Sequence, residues 1–325
     1  MKKVKVSVIV PVYGAENYIE QCARSLFGQT LDDIEYVIVN DCTIDKSISV
    51  LERVLKEYPH RADYVRIVNL EKNGGVANAR TVGMMLATGE YTIHCDPDDY
   101  VDSDCYETLY NEAHRTNADI VTCDYYREKD DKIEYVTQRY GSTPRKSIEN
   151  FYEYPFFPSL WSALIRTSII HVNQIYPYPG INTGEDLNVI FRIFLKAETL
   201  SYIHKAFYHY VQRNGSLTQK SIEELWDKNI APNLVLLSSF LDNQCSIEIQ
   251  RTKHYLQYSK KLMLLQCKKP HWKMWYNTYK ECIDSIDYFQ SYSAKHKLVM
   301  KPFAKHYFLL ALYYRILRPM GLKII

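Results

Sequence analysis

The sequence predicts an α/β fold with a mostly parallel central sheet and a mainly α-helical C-terminal region. Apolar, β-branched runs alternate with helical patterns through the first 125 residues, and the runs start about 30 residues apart, as βαβ units require. After about residue 217, long helical patterns rich in Tyr, Lys and Leu replace this alternation. We therefore expect a sheet-based unit over residues 1–217 and a helical region over residues 218–325.

Five strands and the helices between them are predicted in order along the first unit. The strands are Val4–Val12, Ile34–Asn40, Val65–Leu70, Tyr91–Cys95 and Asp119–Tyr125. The first helix is expected behind Asn17, an N-cap residue with Glu20 three positions on, because apolar residues then recur at helical spacing. Pro59 ends the second helix, and the third, Val76–Ala87, precedes Gly89, a residue favoured beyond helix C-termini.

Polar motifs follow four successive predicted strands. They are PVYG after the first strand, NDC after the second, EKNGG after the third and DPDD after the fourth. The carboxyl ends of parallel strands meet at one edge of a sheet, and open α/β sheets bind ligands in the crevice outside that edge. The positions of these motifs therefore predict a ligand-binding site there.

Composition and missing motifs exclude several classes of protein. An apolar content of 46% and a charged content of 24% are typical of a folded chain. Neither GxGxxG nor GxxxxGK[ST] is present, which argues against a dinucleotide-dependent dehydrogenase or a P-loop enzyme. The basic residues form no recognised nucleic-acid-binding module, so no nucleic-acid partner is expected.

The cysteines and the N-terminus favour a cytoplasmic protein. The eight cysteines include no CxxC pair, which predicts reduced, mostly buried thiols. The N-terminal apolar run is interrupted by Lys5 and Ser7 and lacks a cleavage site, so a buried strand is expected rather than a signal peptide. No stretch approaches 18 uninterrupted apolar residues, and we expect no membrane-spanning helix.

Four carboxylates fall within seven residues of HCDPDDYVD, at positions 96, 98, 99 and 102. One interpretation is a solvated turn, because Asp and Pro are common turn residues. The other is that one carboxylate binds Mg²⁺ or Mn²⁺, hard cations that take oxygen ligands and bridge to substrate phosphates. The second would explain why like charges are concentrated there.

Several motifs in this order resemble family 2 glycosyltransferases, the inverting GT-A fold enzymes that use nucleotide-sugar donors. They are SVIVPVYGAENYIEQCARSL, YVIVNDCTIDKS, NGGVANARTVGMMLATGEYTIHCDPDDY and GEDLNVIFRI, within residues 4 to 217. The resemblance implies a GT-A (Rossmann-like) domain with a nucleotide-sugar-binding half at 1–126 and an acceptor-binding half at 127–217. It also implies a UDP-sugar donor and a divalent metal, Mn²⁺ or Mg²⁺.

The resemblance also implies roles for the residues at the first four strand ends. Pro11, Val12 and Tyr13 would line the base and ribose pocket, Asp41 would bind uracil, Asn73, Gly74 and Arg80 would lie beside the nucleotide, Asp96 would contact the ribose or donor sugar, and Asp98 would bind the metal. Simpler explanations exist: Asp41 could cap the next helix, and Arg80 could be a solvated helix residue.

The segment Thr183–Asp186 supplies a second pair of carboxylates. A near capping box is one explanation, since Thr183 precedes Asp186 by three positions and acidic residues favour a helix's first turn. A base is the other, because an acceptor hydroxyl must lose its proton as it attacks the anomeric carbon. The resemblance assigns that role to Asp186 and an acceptor-positioning role to Glu185, with an α-linked donor giving a β-linked product.

Three further residues are candidates with a structural alternative. His209 or Arg213 in YHYVQRN would approach the diphosphate, with His209 as a second metal ligand, or His209 would be a packed imidazole. Trp161 would stack on the acceptor sugar or belong to the core. No QxxRW follows, unlike in processive synthases, which favours transfer of a single residue.

The C-terminal segment is basic. From Lys295 to the end there are seven Lys or Arg and no Asp or Glu, interspersed with Phe, Tyr and Leu. Such a segment suits peripheral contact with the inner face of the cell membrane, where lipid-linked acceptors are held. An ordinary packed terminal helix with solvated lysines is the alternative.

These observations together predict a metal-dependent, inverting glycosyltransferase that moves a hexose or N-acetylhexosamine from a UDP-sugar to a surface polysaccharide or a lipid-linked oligosaccharide. A sugar nucleotidyltransferase would need a Gly-rich loop with Arg or Lys after the first strand, which PVYGAENY lacks. A non-catalytic carbohydrate-binding protein would have no need of both DPD and GED.

Overall fold

The structure is a computed structural model that describes residues 4–130, 132–213, 225–266 and 271–317. The chain divides into two compact units. The first comprises Met1–Arg145 and Phe157–Gln219, and the second comprises Lys146–Phe156 and Lys220–Ile325. The boundary that the sequence predicts near residue 217 lies outside the described residues.

The first unit is built on one mixed sheet, which has nine strands in the described part of the chain. They are β1 Val6–Val12, β2 Ile34–Asn40, β3 Val65–Asn69, β4 Tyr91–His94, β5 Tyr100–Val101, β6 Ile120–Lys129, β7 Lys132–Val136, β8 Ala163–Arg166 and β9 Leu200–Val211. The order is β3-β2-β1-β4-β8-β6-β9-β5, with β7 paired to β6. Strands β3, β2, β1 and β4 are mutually parallel, as βαβ connections require.

The helices of the first unit connect or cover these strands. They are α1 Ile19–Phe27, α2 Ser47–Leu55, α3 Val76–Leu86, α4 Cys105–Thr116, α6 Thr167–Asn173 and α7 Glu185–Phe194, while α5, Pro144–Glu149, begins in this unit and continues into the second. Every residue of β1 is buried, because helices lie on both faces of the sheet there. The predicted α/β class with a parallel centre is confirmed.

Two local predictions differ from the structure. Helix α1 begins at Ile19 with Tyr18 at its N-cap and no side-chain capping bond, so the N-cap predicted at Asn17 is wrong. The second difference is the long strand β9, which the sequence does not predict and which includes the first four residues of YHYVQRN. It pairs in parallel with β6 and antiparallel with β5, and so holds the segment that follows β4 against the sheet.

The second unit is helical in its described part. Its helices are α8 Ala231–Asp242, α9 Ile247–Gln266, α10 Trp272–Asn277, α11 Ala294–Lys305 and α12 Tyr307–Leu312. The segment Lys146–Phe156 belongs to this unit, although the sequence placed it in the acceptor half. The Thr252 hydroxyl donates to the Ile148 carbonyl over 2.7 Å, and the Phe151 ring packs on the Tyr255 ring at 5.9 Å.

Among the described helices of both units, none is long and apolar enough to cross a membrane.

Candidate active site

The acidic segment after β4 is held in place by β9. The Tyr208 hydroxyl donates to Oδ2 of Asp99 over 2.7 Å, and the Val211 N–H donates to Oδ1 of the same carboxylate over 2.8 Å. Burial, and then the charge of Asp98, raises the pKa of Asp99 well above its ordinary value. Asp99 is therefore a buried, fixed residue that supports the neighbouring DPD motif.

Among the described residues, the carboxylate of Asp98 has neither an ion-pair partner, as Asp96 has in Arg80, nor the two hydrogen bonds from β9 that hold Asp99. Burial, followed by the charge of Asp96, raises the pKa of Asp98 to about 6. In the described part of the chain, no Lys, Arg or His side chain forms an ion pair with it within 4.0 Å. The charges of Arg213 and Arg80 offset this increase in pKa only in part, and a bound cation would favour the ionised form further.

Arg80 on α3 connects this segment to the start of α7. Its Nη2 donates to Oδ1 of Asp96 over 2.7 Å, and its Nη1 donates to Oε1 of Glu185 over 2.6 Å and also to Oδ1 of Asp186. The structure thus brings Arg80 and Asp96 together with two residues that lie about 100 positions further along the sequence. Nearby carboxylates raise the pKa of Arg80, so it carries its charge at any working pH.

Glu185 and Asp186 open helix α7. Gly184 occupies the N-cap with φ of +75°, a conformation that favours glycine, and no side-chain capping bond forms there, so the capping-box interpretation of Thr183 is not supported. Burial raises the pKa of Asp186 to about 7, against the opposing charge of Arg80, and it also raises the pKa of Glu185. Asp186 is thus half protonated near neutral pH.

Asp41, which follows β2, binds the loop that precedes α3. Each oxygen of the buried Asp41 carboxylate accepts one backbone N–H, from Gly74 over 2.7 Å and from Gly75 over 2.8 Å. Helix α2 begins only at Ser47, so Asp41 does not cap it. With 3% of the residue exposed, the contacts that the structure shows for Asp41 are those that hold the loop at Gly74 and Gly75.

The remaining residues assigned to the nucleotide have different exposures. Pro11 and Val12 are buried at the end of β1, whereas Tyr13 is 51% exposed and Asn73 is also exposed. The two exposed side chains can contact a ligand directly, and the two buried ones can only shape the floor of a pocket.

Arg213 lies beside the DPD motif. Its Nη2 donates to the carbonyl oxygen of Asp98 over 2.6 Å, and its guanidinium lies over the Tyr18 ring at 3.6 Å. This position is compatible with the predicted diphosphate contact, because the guanidinium is anchored next to the carboxylate expected to hold a cation.

His209 is placed differently from the sequence prediction. Its Nδ1 is 2.7 Å from Oε1 of Glu128 and its Nε2 is 3.2 Å from Oδ1 of Asp102, while its ring stacks on those of Tyr100 and Tyr126. Both nitrogens already have partners, so the structure corrects the metal-ligand assignment in favour of the packed imidazole.

Trp161 is also a core residue. It is 3% exposed and stacks on the Tyr208 ring at 4.2 Å, with the Tyr125 ring against it at 5.1 Å. A ring covered in this way has no face for a sugar, which contradicts its assignment to the acceptor site. Its packing instead fixes Tyr208, the hydrogen-bond donor to Asp99.

Several supporting residues had no clear signal in the sequence. Asn182 accepts the Ala77 N–H over 3.0 Å at the start of α3, and the backbone N–H of Leu160 donates to Oδ2 of Asp186 over 3.3 Å. Tyr208 could have been found, because alternation along FYHYV places it on the opposite face of a strand from His209. Backbone donors such as Leu160 leave no trace in a sequence.

The residues present fit a divalent cation at Asp98 only in part. No group of three His, Cys, Asp or Glu suited to a metal occurs among the described residues. A cation held by Asp98 would therefore need the oxygens of a substrate phosphate and water to complete its shell, as Mg²⁺ commonly does. The arrangement can combine that charge with a carboxylate near neutral pKa, Asp186, that is able to accept a proton.

Comparisons with known proteins agree with this geometry. The profile of glycosyl transferase family 2 matches residues 7–172. The uncharacterized glycosyltransferase EpsJ of Bacillus subtilis is 32% identical over 232 residues, which are 69% of this chain and 66% of EpsJ.

Solved structures share the fold. TarS from S. aureus in complex with UDP-GlcNAc has a TM-score of 0.66 and 21% identity, over 87% of this chain and 82% of that chain. A mannosyltransferase from Pyrobaculum calidifontis, in complex with GDP-Man and Mn²⁺, has a TM-score of 0.57 and 16% identity, over 99% and 84% of the two chains.

Proposed function

The chain belongs to glycosyl transferase family 2, and from this premise we propose that it moves a hexose or N-acetylhexosamine from a UDP-sugar to a hydroxyl of a saccharide acceptor, with inversion. The observation that carries the proposal is the contact of Arg80 with both Asp96 and Asp186. This contact brings the DPD motif and a carboxylate able to take a proton to one edge of the sheet.

In the proposed reaction, Asp186 is the general base. A hydroxyl with a pKa far above neutrality must lose its proton as its oxygen attacks the anomeric carbon, and a carboxylate with a pKa of about 7 is matched to that task at neutral pH. Asp186 keeps 18% of its side chain exposed, so an acceptor hydroxyl can reach it. Attack from this side displaces the nucleotide on the other side and inverts the anomeric centre.

The donor is proposed to bind in a site formed by residues 1–126. Tyr13 and Asn73 would contact the nucleotide above the buried Pro11 and Val12, and Asp41 would accept the uracil N–H with its second lone pair. Gly74 would keep the backbone close to the nucleotide. The presence of UDP-GlcNAc in a TarS structure supports a UDP donor through the shared fold.

The leaving diphosphate is proposed to lie between Asp98 and Arg213. A divalent cation at Asp98 would supply Lewis-acid stabilisation of the charge that develops on the leaving oxygen. Arg213 would bind the other side of the diphosphate through its guanidinium, which is already anchored to the Asp98 carbonyl oxygen. The Mn²⁺ in the mannosyltransferase structure supports this cofactor by analogy of fold.

A coupled assay of UDP release tests this function. The purified chain is supplied with a panel of nucleotide sugars and saccharide acceptors, with Mn²⁺ present and after chelation. We expect release of UDP that depends on acceptor and metal, and a loss of roughly 10²–10⁴-fold in Asp186→Asn. Asp98→Asn should also lose turnover. The matched control is Asp104→Asn, which removes a surface ion pair with Lys205 and should keep turnover.

Each rival gives a different result in the same assay. Release of pyrophosphate would indicate a nucleotidyltransferase, and binding of a saccharide without turnover would indicate a carbohydrate-binding protein. A preference for GDP-sugars or dTDP-sugars would contradict the assignment of Asp41 to uracil.

The acceptor is proposed to be a surface polysaccharide or a lipid-linked oligosaccharide, bound by residues 127–217 with Glu185 near it. Peripheral contact with the inner face of the membrane would bring the enzyme to such an acceptor. An exposed apolar stripe in the second unit supports this contact: Phe308 is 67% exposed, Leu312 36% and Ile316 50%, at helical spacing of four. The exposed cations Lys305 and Arg315 are close to it in the sequence, which suits an anionic bilayer. Arg318, from the predicted basic segment, lies outside the described residues.

Vesicle sedimentation tests the membrane contact. The protein should pellet with vesicles of equal phosphatidylglycerol and phosphatidylcholine, and remain in solution with phosphatidylcholine alone. Phe308→Ser with Ile316→Ser should abolish pelleting, whereas Ile247→Ser, at an exposed residue of another helix, should not. Equal pelleting of all variants would contradict the role of the stripe.

A further inference from the structure

We propose that Arg80 is a positioning residue that fixes Asp186 as the proton acceptor and ties it, through Asp96, to the donor side of the site. The inference rests on the proposed function. It replaces the donor contact that the sequence assigned to Arg80 with support of the base.

Burial separates Arg80 from the crevice. Its side chain is only 4% exposed, whereas Asp96 and Asp186 are 23% and 18% exposed. Helix α3 lies so close to β1 that a Cβ on Gly83 would clash with Cγ2 of Ile9. Because Gly83 follows Arg80 by about one turn, this close approach draws the guanidinium beneath the surface. The carboxylates, and not Arg80, therefore face a ligand.

Both terminal nitrogens of Arg80 already donate to carboxylates. Nη1 serves Glu185 and Asp186, and Nη2 serves Asp96. Nε is fully buried and has no hydrogen-bond partner among the described residues. A diphosphate would need outward-facing donors from a guanidinium, and this geometry offers none without breaking ion pairs in a buried cluster.

The same contacts fix the orientation of the base. Oδ1 of Asp186 is held by Arg80, and Oδ2 accepts the Leu160 N–H over 3.3 Å. Two contacts from different elements set the plane of the carboxylate, and the second lone pair of Oδ2 remains for the acceptor proton. A base shifted by about 1 Å can lose roughly 10²-fold in rate, so this fixation matters for turnover.

Arg80 also opposes the groups that favour the protonated form of Asp186. Burial, Glu185 on the same helix and Asp96 after β4 all raise the pKa of Asp186, and Arg80 from α3 lowers it. His94 on β4 adds no positive charge, because burial and then the charge of Arg80 lower its pKa well below the ordinary value. Weakening the Arg80 contact should thus keep Asp186 protonated to higher pH.

Kinetics of Arg80→Lys and Arg80→Met separate positioning from donor binding. We expect kcat to fall roughly 10²-fold in Arg80→Met. The KM for the donor should stay within about threefold of wild type, since 1.4 kcal/mol of lost binding would already give tenfold. The midpoint of the pH profile of kcat should move to higher pH. Arg80→Lys, which keeps the charge, should recover part of the rate, and Arg115→Met, at an exposed ion pair, is the matched control.

Other results would overturn the inference. A donor KM that rises tenfold or more with kcat unchanged would make Arg80 a donor contact. A fall in kcat with an unshifted pH profile would reduce it to a structural residue. If wild type transfers no sugar, the proposed function fails separately. The pH dependence of thermal unfolding then still reports whether Arg80→Met, which removes the charge, shifts the titration of Asp186 to higher pH, and an unshifted titration overturns the inference.

Discussion

Replacing Asp186 with Asn should stabilise the protein at alkaline pH while removing its activity. Asp186 has a folded-state pKa of about 7 and an ordinary value of 3.8. The folded protein therefore binds the proton more tightly than the unfolded chain, and this contribution is complete below the ordinary pKa and lost as pH rises through about 7. An Asn side chain resembles the protonated form and cannot ionise, so it escapes this loss.

The size of the effect follows from the two pKa values. At pH 8.5 the wild-type protein loses up to about 4 kcal/mol from ionisation of Asp186, since a difference of one pKa unit is worth about 1.4 kcal/mol. Near pH 5 the loss is about 1.6 kcal/mol, because only the unfolded carboxyl is ionised there. The Asn variant should thus gain about 3 kcal/mol on wild type between the two pH values, since the attraction of Arg80 is already included in the folded-state pKa.

Scanning calorimetry of both proteins near pH 5 and 8.5 measures this gain. A gain of 1 kcal/mol corresponds to roughly 2–4 °C in Tm for a unit of this size. The control is Asp119→Asn, since backbone N–H groups of Glu198 and Thr199 and the Arg166 side chain outweigh burial and lower the pKa of Asp119. Its loss of stability should be the same at both pH values. An Asp186→Asn variant that becomes less stable relative to wild type as pH rises would refute the reasoning, because it would show that Arg80 favours the ionised form.

Three further substitutions test separate parts of the structure. Gly75→Ala should cost about 1–3 kcal/mol in unfolding free energy by denaturation, because Gly75 has φ of +83° and an added Cβ would meet Asn182 at 2.4 Å; an unchanged midpoint would contradict this. Tyr208→Phe leaves Asp99 without one hydrogen bond, and should cost about 1–3 kcal/mol and weaken metal-dependent turnover, whereas equal turnover would show that Asp99 does not support the DPD segment. Arg61→Met should cost about 3 kcal/mol or more without changing donor KM, because the buried guanidinium serves four backbone carbonyls, and a mild effect would count against this.

The strands of the sheet could be predicted because each lies in a continuous β-branched run. In four of the five predicted strands, both ends lie within two residues of the observed ends, since Gly, Pro and polar residues mark the boundaries. Strand β9 could not be predicted in this way, because its Tyr and His residues are buried by stacking rather than by aliphatic packing.

The site could be predicted only at the level of motifs. Strand-end positions identified Asp41 and Asp96, because parallel strands bring their carboxyl ends together, whereas the resemblance to the family identified Asp186. The sequence could not show that Arg80 is buried among three carboxylates, since that depends on the close approach of α3 permitted by Gly83. Nor could it show that both nitrogens of His209 are already bonded, because their partners lie on different strands or loops.

The anomeric configuration of the first-formed product tests the central claim most directly. The purified protein is supplied with an α-linked UDP-sugar and an acceptor, and proton NMR measures the coupling constant of the new anomeric proton in the glycoside product. If Asp186 activates the acceptor on the side opposite the nucleotide, the product is β-linked. An α-linked product would mean that attack comes from the nucleotide side, and would contradict the role of Asp186 as the base.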